Sequence, residues 1–98
     1  MSVDIAQLTS DMSRFAVLLG VMGLNGLAQK YEALAESLRN DRSPDALREA
    51  RAWVSGSFGQ GSGSLSDRYV YRDGIFDEAL NAEYETLLQK LTDFSHDT

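Results

Sequence analysis

The sequence contains no cysteine, one histidine, one proline and one tryptophan, and these scarcities remove whole classes of function. Without cysteine there is no disulfide, no thiolate nucleophile and no thiolate metal site. The single histidine, His96, cannot by itself build a histidine-rich metal centre. Long apolar runs are also missing: the longest, Phe15 to Leu19, has five residues, against the roughly 20 that a membrane helix needs. Basic charge is in deficit, with 9 Lys and Arg against 15 Asp and Glu and a net charge of −6. That balance disfavours nucleic-acid binding, which normally presents a basic surface.

The 98 residues are 43% hydrophobic and 24% charged, the mixture of one ordinary soluble domain. A chain of this size buries about 60–65% of the surface that its unfolded form exposes, so its core is adequate but small. The opening Met1-Ser2-Val3-Asp4 lacks the basic start of a signal peptide, which sets the expectation of a cytoplasmic protein without a membrane partner.

Helical periodicity dominates what is present. Ile5, Leu8, Met12, Phe15, Leu19 and Met22 recur at alternating three- and four-residue spacing, the pattern of one helix stripe. Ser2 or Asp4 is placed to cap its start. Gly20, Gly23 and Gly26 surround Asn25-Gly26, a dipeptide that tolerates positive φ. Each glycine weakens a continuous helix by about 1 kcal/mol relative to alanine, so a break is expected near residues 22–26. Leu24, Leu27, Tyr31, Leu34 and Leu38 then continue the period through a second helix ending around Arg39-Asn40. Ser43-Pro44-Asp45 combines an N-cap, a first-turn proline and a first-turn acid, and predicts a third helix with Leu47, Ala50, Trp53 and Val54 inward.

From Ser55 to Ser66 the composition becomes uncharged and rich in glycine and serine. Tyr69-Val70-Tyr71 is strand-like, but one short run does not make a sheet. After the Asp73-Gly74 turn signal, Leu80, Tyr84, Leu87, Leu91 and Phe94 mark a final helix, with Phe76 one turn earlier and a frayed end from Ser95. The expected fold is all-α: a small bundle of about four helices with a Gly/Ser-rich loop between the third and last. It forms a single domain, 1–98, with an N-terminal helical pair over 1–43 and the helix, loop and closing acidic helix over 44–95.

Few residues suggest chemistry. Gly59-Gln60-Gly61-Ser62-Gly63 resembles a phosphate loop in composition. A P-loop, however, needs Lys-Ser/Thr directly afterwards, and a dinucleotide fingerprint needs a preceding strand. A compact loop anchored by Phe58 and Leu65 is the simpler reading. No serine has an obvious base, since His96 falls in the expected frayed tail. Asp77-Glu78 and Glu83/Glu85 do not face each other on a helix at those spacings. Neither an enzyme nor a cofactor is expected.

Charge is unevenly distributed. Residues 1–72 hold eight acids and eight bases, whereas Asp73, Asp77, Glu78, Glu83, Glu85, Asp93 and Asp97 face only Lys90 in the remainder. The whole imbalance therefore lies in the last helix and its flanks. Asp77 and Glu78 suit a helix N-terminus electrostatically, but Asp93 does not suit a C-terminus.

The segment Gly61-Ser62-Gly63-Ser64-Leu65-Ser66-Asp67, after a tryptophan-bearing helix and before Asn81 and Leu87-Leu88…Leu91, resembles a small uncharacterised bacterial family. Its matching positions are Trp53, Gly61, Gly63, Ser64, Leu65, Asp67 and Asn81, within residues 44–95. Such proteins resemble cognate immunity proteins of bacterial toxin systems, including those delivered by type VI secretion. The resemblance implies a toxin inhibitor and brings no catalytic residues with it.

Together these readings predict a cytoplasmic immunity protein that occludes a basic, phosphate-binding toxin active site. A nucleotide- or nucleic-acid-acting toxin fits that description. Asp77, Glu78, Asn81 and Glu85 are the expected contact face, with Tyr69 and Tyr71 as aromatic anchors. The alternative is a helical adaptor or homo-oligomer that packs through the stripes of its first two helices. A nucleotide binder using the Gly/Ser loop is the remaining alternative.

Overall fold

Asp4 starts the first helix by accepting the Gln7 amide proton at 3.1 Å, the usual way an N-cap side chain serves a free backbone donor. The computed structural model describes residues 4–57 and 69–96. Four helices follow in order: α1 (Ile5–Val21), α2 (Asn25–Asn40), α3 (Pro44–Ser57) and α4 (Glu78–His96). A small antiparallel hairpin of β1 (Tyr71–Arg72) and β2 (Ile75–Phe76) stands before α4. The architecture is the expected all-α bundle.

The α1–α2 joint closes at Gly23, whose φ of +84° lies in the left-handed region. Leu24 donates its amide to Leu19 carbonyl at 2.9 Å, and Gly23 donates to Gly20 at 3.0 Å. This paired pattern is the Schellman motif, in which a glycine ends a helix. Asn25-Gly26 belongs to the first turn of α2, so the break falls slightly earlier than the dipeptide suggests. Ser43 Oγ accepts the Ala46 amide proton at 3.2 Å, and Pro44 opens α3 as expected.

The inward stripes form one core. Leu8, Met12, Phe15, Leu18 and Leu19 of α1 are buried with Tyr31, Ala35 and Leu38 of α2, Ala50 and Val54 of α3, and Tyr84, Leu87, Leu91 and Phe94 of α4. The α1 and α2 stripes expected to offer a surface to another copy are thus largely used by this core, with Met22, Leu24, Leu27 and Leu34 partly buried against it. At its centre each helix contributes one ring. Phe15 stacks on Tyr84 at 5.3 Å and meets the edge of Tyr31 at 5.0 Å. Tyr31 in turn meets half-buried Trp53 at 4.8 Å.

Tyr31 brings a hydroxyl into this apolar setting. Ser57 Oγ donates to the Val54 carbonyl at 2.7 Å, so its 2.6 Å contact with Tyr31 leaves the phenol as donor. Burial pushes the Tyr31 hydroxyl up to about 12.

Three local expectations need correction. First, α3 continues through Ser55, Gly56 and Ser57, because Ser57 caps its own turn against Val54 and joins Tyr31. Second, Phe76 is in a strand, because the Asp73-Gly74 turn folds residues 75–76 back on 71–72 before α4 begins. Third, α4 runs through Ser95 to His96, with buried Phe94 tying its last turn to the core. The central Gly/Ser segment, including Phe58, Gly61, Gly63, Ser64, Leu65 and Asp67, lies outside the described residues. Among the described residues, no helix is long and apolar enough to cross a membrane.

Replacing Phe15 by alanine is expected to destabilise the fold by about 3–5 kcal/mol in urea unfolding, the range for deleting a buried ring. A second expectation concerns pH. Because the folded-state pKa of Tyr31 is raised from 10.0 to about 12, its stabilising contribution is full below pH 10 and is lost as pH climbs toward 12. Unfolding measured across that window should show a decline that is smaller in Tyr31→Phe.

Candidate functional site

The hairpin and the beginning of α4 form the most distinctive surface. Asp73 and Gly74 have φ of +54° and +78°, the two positive values required by a type I′ hairpin turn. Tyr71 pairs with Phe76 and Arg72 with Ile75. Alternation along the strand places Tyr69 and Tyr71 on one face with Phe76, and Val70 on the other. The ring separations, 6.1 Å for Tyr69–Phe76 and 5.9 Å for Tyr71–Phe76, fit this arrangement.

The hairpin is fastened by Asn81. Its Oδ1 accepts the Val70 amide proton at 2.8 Å, while its Nδ2 donates to the Val70 carbonyl at 2.7 Å. Val70 N–H can only donate and its C=O can only accept, so the two bonds also fix the amide orientation. Asn81 Nδ2 additionally donates to the Asp77 carbonyl at 2.7 Å. Val70 is fully buried and Asn81 only 7% exposed, so this clasp is shielded from water. Asp77 donates its amide to the Val70 carbonyl at 3.2 Å and its carboxylate caps α4 by accepting the Leu80 amide proton at 2.9 Å.

Outside the clasp, large apolar groups face solvent. Tyr69 is 59% exposed, Tyr71 53%, Ile75 71% and Phe76 48%. Among the described residues the other large exposed apolar side chains are Val17 and Val21. These follow Arg14 on the same side of α1, at helical spacings of three and four. Arg14 and Asp11 meet Glu83 and Lys90 in an antiparallel order, which carries Val17 and Val21 toward the start of α4. Val17 and Val21 form a separate exposed pair on α1, whereas the hairpin groups stand together before α4.

The acidic residues divide by environment. Arg14 holds Glu83 bidentately, with Nε to Oε2 at 2.6 Å and Nη2 to Oε1 at 2.9 Å. Those hydrogen bonds hold the Glu83 carboxyl below its ordinary range and raise Arg14. Asp93 accepts a 2.9 Å hydrogen bond from Gln89. Glu78, Glu85 and Asp73 are exposed, and Asp77 is half-buried by its capping role.

The expected contact set is thus brought together only in part. Tyr69, Tyr71 and Glu78 share the hairpin end, and Asp77 borders it. Glu85 is exposed about two turns further along α4. Asn81 is the correction: it does not present its amide to solvent between Glu78 and Glu85. It lies at the margin of the leucine stripe, where the segment carrying Val70 into β1 covers it, and its amide serves that segment. The unforeseen members are Ile75 and Phe76. An Asp-Gly pair between Tyr71-Arg72 and Ile75-Phe76 is the sequence signal for both.

Among the described residues, no group of three or more His, Asp or Glu side chains gathers as a metal ion would require. The site offers exposed rings and, among the described residues, carboxylates of Asp73 and Glu78 without ion-pair partners. Comparison with protein-family models, curated proteins and solved structures finds no match.

Asn81→Ala should leave the buried Val70 N–H unsatisfied, at about 1–3 kcal/mol, while the Val70 carbonyl keeps the Asp77 amide. Hydrogen exchange should show the Val70 amide losing protection before those of α1 and α2. Uniform loss throughout the bundle would show that the clasp does not act locally.

Proposed function

We propose that the protein is a non-catalytic binding module whose hairpin end docks on a protein partner with a basic surface. The observation that carries this reading is the grouping of exposed Tyr69, Tyr71 and Phe76 on one face of a hairpin fastened by the buried Asn81 amide, with exposed Ile75 at its other face. Exposed apolar patches mark interaction sites when they are contiguous and rimmed by polar groups. Tyrosine and other aromatics are favoured anchors because they bury large area while losing little conformational freedom. A pre-formed hairpin reduces the ordering that must accompany binding.

The specific role we infer is that of an immunity protein which neutralises a cognate bacterial toxin in the cytoplasm. The family resemblance around Trp53, Gly61, Gly63, Ser64, Leu65, Asp67 and Asn81 supports this role. So does an acidic rim, which complements a cleft that binds phosphates on a nucleotide- or nucleic-acid-acting toxin. Electrostatic complementarity accelerates encounter and weakens as salt rises. Such a protein needs no active site of its own. Burial of the α1 and α2 stripes favours this hairpin surface over the helical stripes as the place where a partner binds.

The decisive experiment is co-expression with the product of the adjacent gene, followed by co-purification and a growth test. The wild type should protect cells and retain the toxin. The double variant Tyr71→Ser/Phe76→Ser should lose protection and at least about tenfold in affinity, a loss of roughly 1.4 kcal/mol, with an unchanged unfolding midpoint. Full protection by that variant would remove the hairpin from the interface. No complex with the wild type would overturn the immunity role.

A further inference from the structure

We propose that the groove between the hairpin and the start of α4 receives an arginine side chain from a basic protein partner. This rests on the hairpin end being the docking surface, and assigns it a cationic subsite. The groove has a volume of about 710 Å³. Its apolar wall comprises Ile75, Phe76, Ala79 and Ala82, while Asp73, Asp77 and Glu78 bring carboxylates to it. That combination matches the two parts of an arginine, an apolar stem and a charged head.

Arginine fits better than lysine for a chemical reason. Its planar guanidinium can bond to carboxylates through several N–H groups while stacking on the half-exposed Phe76 ring. Asp77 already uses Oδ1 to cap α4, whereas exposed Asp73 and Glu78 lack ion-pair partners among the described residues. Arg72 also lines the groove, but among the described lining residues one cation stands beside three acids, a net negative balance. Two copies meeting through this surface would bring like charges together, so charge favours a basic partner over self-association.

The test is an NMR titration of the full chain with a blocked Gly-Arg-Gly-Arg-Gly peptide and its citrulline counterpart. Citrulline keeps the side-chain length and planarity but removes the positive charge. The arginine peptide should give saturable shifts centred on Ile75, Phe76, Glu78, Ala79 and Ala82. Its affinity should fall at least about tenfold for the citrulline peptide and for Asp73→Asn/Glu78→Gln, the loss expected when charge-assisted hydrogen bonds are removed. Asparagine suits the positive φ at position 73, and the Asp77 cap is untouched, so this variant should retain the fold.

Equal binding of the citrulline peptide, shifts scattered over acids of other helices, or full binding by the double variant would overturn the subsite. Concentration-dependent dimerisation abolished by Arg72→Ala would also overturn it, by assigning the groove to a second copy. The broader docking surface is judged separately by Tyr71→Ser/Phe76→Ser. If that variant loses its protein partner while the arginine peptide fails to bind the wild type, the docking surface stands and the arginine subsite fails. If the peptide binds as described while partner affinity survives the aromatic changes, the aromatic docking surface fails.

Discussion

The stacking of Phe15 on Tyr84 is the contact on which the arrangement depends most directly. Phe15 also meets Tyr31, which meets Trp53, so one ring from each helix belongs to the same connected set. Aromatic pairs contribute specific geometry as well as apolar burial. Tyr84 fixes a turn of α4 against α1, and Asn81 lies three residues earlier on that helix. The position from which Asn81 reaches Val70 is therefore set by packing in the core. The surface hairpin inherits its placement through this sequence of contacts.

Asn81 also resolves a conflict between a strand and a helix. Continuing the hairpin beyond the Tyr71–Phe76 pair would place Val70 opposite Asp77. One bond of that rung forms, from the Asp77 amide to the Val70 carbonyl. The Asp77 carbonyl instead accepts the Asn81 amide proton at 2.9 Å as α4 begins. Val70 N–H would then lack its ladder acceptor, and a buried donor without a partner is costly. Asn81 Oδ1 supplies the acceptor, allowing a two-residue strand pair to end directly in a helix. The same amide anchors a hairpin that would be marginal by itself.

The helices were legible because their signals repeat or combine. Five apolar positions from Ile5 to Leu19 define α1, and Ser43-Pro44-Asp45 states the start of α3 through capping, fixed φ and charge. The joint at Gly23 was legible to within a few residues, since three nearby glycines compete for one left-handed position. The hairpin was harder to see because each strand has two residues and shows no repeating period. Asn81 was harder still. Its spacing from Glu78 and Glu85 fits an exposed helix side, and only the Val70 segment crossing it turns that position inward. The aromatic anchors Tyr69 and Tyr71 were visible from residue type, whereas their neighbours Ile75 and Phe76 depended on recognising the turn.

The structure also changes the meaning of the acidic surplus after residue 72. Glu83 is committed to Arg14 and Asp77 to the α4 cap, so neither acts simply as surplus surface charge. Asp73 and Glu78 remain beside the apolar hairpin, where they can distinguish among partners. Apolar rings alone would favour many hydrophobic surfaces, including another copy of this one. Nearby carboxylates make contact with a like-charged copy unfavourable and contact with a basic surface favourable. On the proposed docking role, the rings supply contact area and the acids supply discrimination. Asn81 is what allows both to be presented in a fixed geometry, because its buried bonds tie the hairpin to the helix that carries Glu78.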